Sequence, residues 1–257
     1  MSQSWMIASG KGGVGKSTVA AALSVALAQR QLPTVTVDMD IGLRSLDMLL
    51  GLHNQIVYDV IDVAHKDCKL KYALVQYPKA PALSLLPASQ LGTMDDLTAG
   101  RMERVVRKLK NRFAYVIMDA PAGLPHGLEL LADNTDFSLL VATPDDVSIR
   151  DAERVIALLD AAHKPKPMLV VNRVVPELVD SGDMYSPQVV ANTLDVPLLG
   201  YVPEDQAVLR ALSRHQSVME EECPAREALE RISRRFLGEY VPMPALKHKR
   251  RFWFFRK

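Results

Sequence analysis

Cysteine is scarce in this chain: Cys68 and Cys223 are its only two, without Cys-x-x-Cys spacing. A disulfide framework is therefore excluded, and six histidines scattered from His53 to His248 offer no clustered ligand set for a structural metal. Long apolar runs are missing too, and none approaches the ~20 residues needed to cross a bilayer. Met1–Met6 has neither a basic n-region nor an apolar h-region, so no export signal is expected and the reducing cytosol is the expected compartment. Linkers are equally absent. The sixteen prolines are scattered or paired at short turns, as at Pro78 and Pro81, and no Gly/Ser-rich stretch divides the 257 residues. With 48% hydrophobic residues the chain can fill one large core. One domain over residues 1–240 is expected, followed by a tail over 241–257.

Net charge is only +1, but it is unevenly placed. Lys247, Lys249, Arg250, Arg251, Arg256 and Lys257 lie in the last eleven residues with no acid among them, which leaves the body at −5. The same stretch holds Phe252, Trp253, Phe254 and Phe255. A segment so unlike the rest has a separate task.

Upstream, short β-branched or apolar runs alternate with segments of helical period, the pattern of a parallel sheet covered on both faces. Strands are predicted at Trp5–Ser9, Thr34–Asp38, Leu83–Pro87, Tyr115–Asp119, Phe137–Thr143, Met168–Asn172 and Leu198–Val202. Met102, Val105, Val106 and Leu109 form a helical stripe, as do Ile149, Ala152, Val155, Ile156 and Leu159. The last stripe, Ala225 to Phe236, stops at Gly238, and Pro242 and Pro244 are expected to detach the tail. Right-handed crossovers make this a single doubly wound α/β domain, mainly parallel, whose ligands sit at the carboxyl ends of the strands.

Such a place follows the first strand: Gly10-Lys11-Gly12-Gly13-Val14-Gly15-Lys16-Ser17-Thr18 satisfies G-x-x-x-x-G-K-[ST] in a strand, loop, helix context. Glycines let successive N–H groups point inward and the backbone approach phosphate closely, while the helix presents its positive end. Lys16 supplies a cation for the outer phosphates, and Ser17 a hydroxyl for Mg²⁺. A glycine-rich turn that binds nothing is the bland alternative, and the surrounding strand and helix argue against it.

Carboxylates end two further strands, at Asp38 and Asp40 and at Asp119. Placed beside a phosphate loop they can hold Mg²⁺ through its waters and orient a reacting water. Any one of them alone would more simply cap a helix.

Lys11 is not demanded by the general pattern. Lys-Gly-Gly-Val-Gly-Lys-Ser resembles the deviant Walker A box of the MinD/ParA family, to which nitrogenase iron protein and the tail-anchored-protein targeting ATPases also belong. Val37–Asp47 is similar to switch I of the MinD branch, Asp119–Gly123 to switch II, and Leu86–Gln90, Ser148–Asp151, Gly182–Met184 and Gly200–Gln206 to other segments in order. The resemblance implies a P-loop ATPase using ATP and Mg²⁺, with Lys11 reaching across an ATP-dependent homodimer to act in trans. It implies Lys16 and Asp40 as catalytic, Ser17, Asp38, Asp40 and Asp119 about the metal, and Asn172, Arg173, Pro203, Glu204 and Asp205 around the base. Asp151 matches a position tied to dimerisation and partner response. Ser45 and Ala120 depart from the family pattern, which commonly has Asn and Ser, and neither is expected to touch a ligand.

The family's MinD branch ends in a membrane-targeting helix, and Lys247–Lys257 occupies that place. Its cations suit an anionic leaflet and its aromatics the interface. Four consecutive aromatics form no helical stripe, so an aromatic plug under a basic collar is expected. Nucleic acid is the rival, disfavoured ligand of such a tail. The implied role is division-septum placement from the cytoplasm and the inner face of the cell membrane. A MinC-like division inhibitor and a MinE-like activator or polar scaffold would be partners. A ParA-type DNA partition ATPase and a flagellar-placement relative are the alternatives.

Overall fold

The computed structural model describes residues 2–121 and 125–246. Ala122 and Gly123 of the expected switch II, and the tail Lys247–Lys257, lie outside the described residues.

Eight strands form one sheet: β1 Gln3–Ala8, β2 Thr34–Asp38, β3 Val75–Gln76, β4 Leu83–Leu86, β5 Tyr115–Asp119, β6 Phe137–Ala142, β7 Met168–Val174 and β8 Leu198–Pro203. Their spatial order is β3-β4-β2-β5-β1-β6-β7-β8, parallel throughout except for the antiparallel β3/β4 pair at one edge. All seven predicted strands are present, with ends shifted by two residues at most. The two-residue β3 has no sequence counterpart because it is too short to carry a periodicity.

Alternate residues of the inner strands enter two separate cores. Met6, Val35, Val37 and Met118 face one layer with the helices Ala99–Lys110 and Asp146–Ala161, while Trp5, Ile7, Leu85 and Ile117 face the other with Lys16–Gln29 and Pro224–Phe236. Burial on both faces is why these strands read as continuous apolar runs. The helix Lys16–Gln29 is apolar all round, which fits its position between the sheet and Pro224–Phe236. Trp5 packs against Phe137 at 4.8 Å and Phe236 at 4.4 Å between ring centroids, tying β1 to β6 and to the last helix.

Strand order diverges about β1, which is flanked by β5 on one side and β6 on the other, both parallel to it. The crevice at its carboxyl end is the topological switch point, and the glycine-rich loop emerges there.

The expected detachment at Pro242 and Pro244 is not what the structure shows. Arg235 donates to the carbonyls of Val241 at 2.7 Å and Pro242 at 2.8 Å, and the Tyr201 hydroxyl lies 3.2 Å from those of Pro244 and Ala245. Proline removes backbone donors but leaves carbonyl acceptors, and these hold the segment to the domain. Among the described residues no helix is long and apolar enough to cross a membrane.

Candidate nucleotide site

The loop from Gly10 to Gly15 leads into the helix Lys16–Gln29. Gly13 and Gly15 have φ of 78° and 91°, the left-handed region that disfavours a side chain. Gly10 is required for a different reason: a Cβ there would lie 2.1 Å from the Asp151 carbonyl oxygen. The helix Asp146–Ala161 thus touches the loop backbone to backbone. Val14 is buried, whereas Lys11, Gly12 and Gly13 are exposed.

Lys16 is buried, and its Nζ donates to Asp119 Oδ1 at 2.5 Å and lies 3.4 Å from Ser17 Oγ. Asp119 is wholly buried, and its other oxygen, Oδ2, has no hydrogen-bond partner among the described residues. An orphaned carboxylate oxygen at this depth is costly unless something occupies its lone pairs.

Asp38 stands beside Asp119 in the β2/β5 register. Its Oδ1 accepts from the Asp40 amide at 2.9 Å, and its Oδ2 from the amides of Ser45 at 2.8 Å and Leu46 at 2.9 Å. The carboxyl therefore organises the loop after β2. Burial, followed by the neighbouring Asp119, pushes its pKa up to about 7 against these three hydrogen bonds. Asp40 is half-buried. Burial raises its pKa, Asp119 adds to the rise, and the Lys16 cation partly offsets it.

Ser45 corrects one expectation. Its hydroxyl lies 3.2 Å from that of Ser17 and its amide donates to Asp38, so it joins two of the predicted metal-site residues. Nothing in its sequence position signals this, because the loop must fold back before the two serines meet.

The second predicted group also assembles. The β7/β8 ladder is interrupted between Val171 and Val174, which frees Asn172 and Arg173 from strand geometry. Asn172 Nδ2 donates to the Val14 carbonyl at 2.7 Å, and Arg173 adopts φ of 60° with its Nε 3.9 Å from Glu204 Oε2. Gly15, Thr18, Asn172, Arg173, Pro203, Glu204 and Asp205 line one cleft, and Val208, Leu209 and Leu229 give it an apolar wall. Asp205 serves the frame: its oxygens accept from the amides of Ala207 at 2.9 Å and Ala225 at 3.2 Å.

Lys11 stands apart, on a separate depression with Thr143, Asp145 and Met184. Thr143 and Asp145 carry no motif in the sequence that marks them as neighbours of Lys11. Burial opposes ionisation of Asp145, but the Thr143 hydroxyl, the Ser148 amide and the Lys11 cation outweigh it and hold the carboxyl below its ordinary range. Asp151 pairs with Arg154 at 3.1 Å on the exposed side of its helix.

The model of the CobQ/CobB/MinD/ParA nucleotide binding domain matches residues 5–218. The chain belongs to this family. Among the relatives of this MinD/ParA-type chain is the septum site-determining protein MinD of Helicobacter pylori, 42% identical over 96% of this chain and 95% of that protein. The solved MinC:MinD cell division protein complex of Aquifex aeolicus is 35% identical with a TM-score of 0.89, covering 95% of this chain and 99% of that one. The septum site-determining protein MinD of Pyrococcus horikoshii, solved with Mg-ADP, is 26% identical with a TM-score of 0.82 over 92% of this chain and 96% of that one. The nucleotide-binding model spans every predicted site residue and ends before the segment that Arg235 and Tyr201 hold.

Proposed function

We propose that this protein is a Mg²⁺-dependent ATPase that sets the position of the division septum. The observation that carries the chemistry is the buried Asp119, answered by Lys16 on one oxygen and, among the described residues, unpartnered on the other. The residues present fit Mg²⁺ and a triphosphate. Asp119 Oδ2 lacks a partner among the described residues, the Ser17 hydroxyl is beside Lys16, and Lys11, Gly12 and Gly13 of the loop are exposed. When bound, Mg²⁺ neutralises charge on the phosphate oxygens. Ser17 and the carboxylates of Asp38, Asp40 and Asp119 would hold it. Gly10 to Thr18 would cradle the phosphates, with Lys16 as their buried cation. Asp40 would orient a water and accept its proton, while Asn172, Arg173, Pro203, Glu204 and Asp205 would surround the base.

The septum role rests on the H. pylori relative, similar across nearly the whole chain. Recruitment of a MinC-like division inhibitor rests on the Aquifex complex, which has the same fold. ATP-dependent pairing in which Lys11 acts on the partner's nucleotide is supported by the exposure of Lys11, away from its own Lys16 cluster. A MinE-like activator or polar scaffold would then trigger turnover. The ATPase domain covers 1–240, and the tail 241–257 attaches the pair to an anionic membrane, from which hydrolysis returns it to the cytoplasm. One tail is a weak anchor and two on one surface are a strong one.

Co-sedimentation with phosphatidylglycerol-containing vesicles tests this. Pelleting is expected with a slowly hydrolysed ATP analogue, to fall with ADP, and to vanish without residues 247–257. Equal pelleting in both nucleotides would refute the switch.

A further inference from the structure

A second cleft, of about 820 Å³, lies beside the base pocket and shares Pro203, Glu204 and Asp205 with it. Val174, Val175, Pro176, Tyr201, Pro203 and Pro224 give it apolar surface. Its charged lining is acidic: Glu177, Glu204, Asp205 and Glu227 face only Arg210 and Arg231. Glu227 has Arg231 at 3.6 Å and Glu204 has Arg173 at 3.9 Å, whereas Glu177 is exposed and has no partner among the described residues.

The chain itself forms the lip of this cleft. Pro244 and Ala245 line it, held there through their carbonyls by the Tyr201 hydroxyl at 3.2 Å. Arg235 fixes the approach, donating to Leu199 of β8 at 3.0 Å as well as to Val241 and Pro242. Leu246 is partly buried against the core. Eleven residues follow, six of them lysine or arginine and four of them aromatic. At ~3.3 Å per residue they can reach roughly 36 Å, enough to fold back over the cleft at whose edge they begin.

We propose that residues 247–257 dock in this cleft when the protein is off the membrane. Phe252 to Phe255 would cover the apolar wall, and the flanking cations would meet Glu177 and Glu227. The shared wall of Pro203, Glu204 and Asp205 places the occupant next to the base, so a ligand in the base pocket bears on the docked tail. Docking hides the aromatics from water and competes with a bilayer for the same residues. That competition rests on the membrane reading above, whereas docking itself does not.

The test uses Trp253. Its quenching by acrylamide is measured in the nucleotide-free full chain without vesicles, and a chain ending at Leu246 supplies the Trp5 background. Shielding of Trp253 is expected in the wild type. Glu177→Arg combined with Glu227→Arg, both at exposed positions, should shift the docked-to-free ratio by about three- to tenfold, the scale of two exposed ion pairs. High salt should act in the same direction. A Trp253 equally open in wild type and variant overturns the proposal. So does shielding that grows with protein concentration, which would make the occupant a second copy's tail. With phosphatidylglycerol-containing vesicles and no nucleotide, the variant should pellet more than the wild type. If it pellets no more, although the wild type pellets with ATP, the competition is overturned. If neither pellets in any nucleotide state, the membrane reading fails and the quenching result alone decides docking.

Discussion

Asp38 and Asp119 are register partners across β2 and β5, two buried carboxylates side by side with a single lysine, Lys16, bonded to one of them. Asp119 has the cation, and among the described residues Asp38 has only backbone amides. Two like charges at this depth resist joint ionisation, so burial and Asp119 together raise Asp38 from 3.8 to about 7. In the nucleotide-free protein, the folded chain therefore keeps a proton between those values that the unfolded chain has lost. Stability falls as pH rises through that window and levels off above about 7. The loss is on the order of a few kcal/mol. Asp40, also raised, contributes with the same sign. The lowered carboxyls of Asp136 and Asp145 lose their contributions only at more acid pH, outside this window. Thermal melts should give a higher Tm near pH 5.5 than near pH 8, and Asp38→Asn should flatten the difference. A wild-type Tm that rises across the window contradicts this account.

Lys16 and Asp40 should separate binding from turnover. Lys16→Ala strips the buried Asp119 of the one cation paired with it among the described residues, and breaking a buried pair on one side typically costs about 3–5 kcal/mol. The variant should melt early and fail to bind ATP in a titration. Asp40→Ala removes a half-buried carboxylate that bonds no side chain among the described residues. It should bind ATP normally while phosphate release drops by about a hundredfold or more, the scale of a lost general base. Equal loss of binding in both variants would remove the distinction.

Two glycines of one loop should fail for different reasons. At Gly13 a Cβ meets nothing within 4 Å, so Gly13→Ala costs only the left-handed backbone, about 1–2 kcal/mol. At Gly10 the added carbon would sit 2.1 Å from the Asp151 carbonyl, so the helix Asp146–Ala161 must move away. Gly10→Ala should therefore lower Tm further than Gly13→Ala. It should also raise amide exchange at the start of that helix, which Gly13→Ala leaves alone.

The strands and the loop were legible because their signals are local. β-Branched runs mark β2 and β5, and the glycine spacing marks Gly10 to Ser17. Asp38 and Asp119 could be placed at strand ends, but their being neighbours depends on β5 lying between β1 and β2. The Ser17–Ser45 contact, the Gly10–Asp151 contact and the hold of Arg235 on Val241 and Pro242 left no trace in the pattern. Each depends on backbone carbonyls or a folded-back loop, and every residue offers the same carbonyl. The approach to the tail shows the converse: its composition is plain, yet Pro242 and Pro244, which read as breaks in the pattern, serve as carbonyl acceptors.

Asn172 should set the choice of base. Its Nδ2 is committed to the Val14 carbonyl at 2.7 Å, and that bond fixes the amide orientation. With one Nδ2 hydrogen used on the loop, Oδ1 is the group expected to meet the base, and a carbonyl oxygen accepts hydrogen bonds but cannot donate them. A 6-amino purine offers it a donor, whereas a 6-oxo purine sets oxygen against oxygen and leaves both unsatisfied. Wild-type protein should thus favour ATP over GTP, and sites built around such a bond discriminate strongly. Asn172→Leu keeps the bulk and removes the acceptor, so the preference should shrink even where overall affinity falls. It also frees the Val14 carbonyl, loosening the phosphate loop, so weaker binding of both nucleotides is expected alongside. Competition titrations with ATP and GTP separate the two effects. A ratio unchanged by the substitution would assign Asn172 to holding the loop alone.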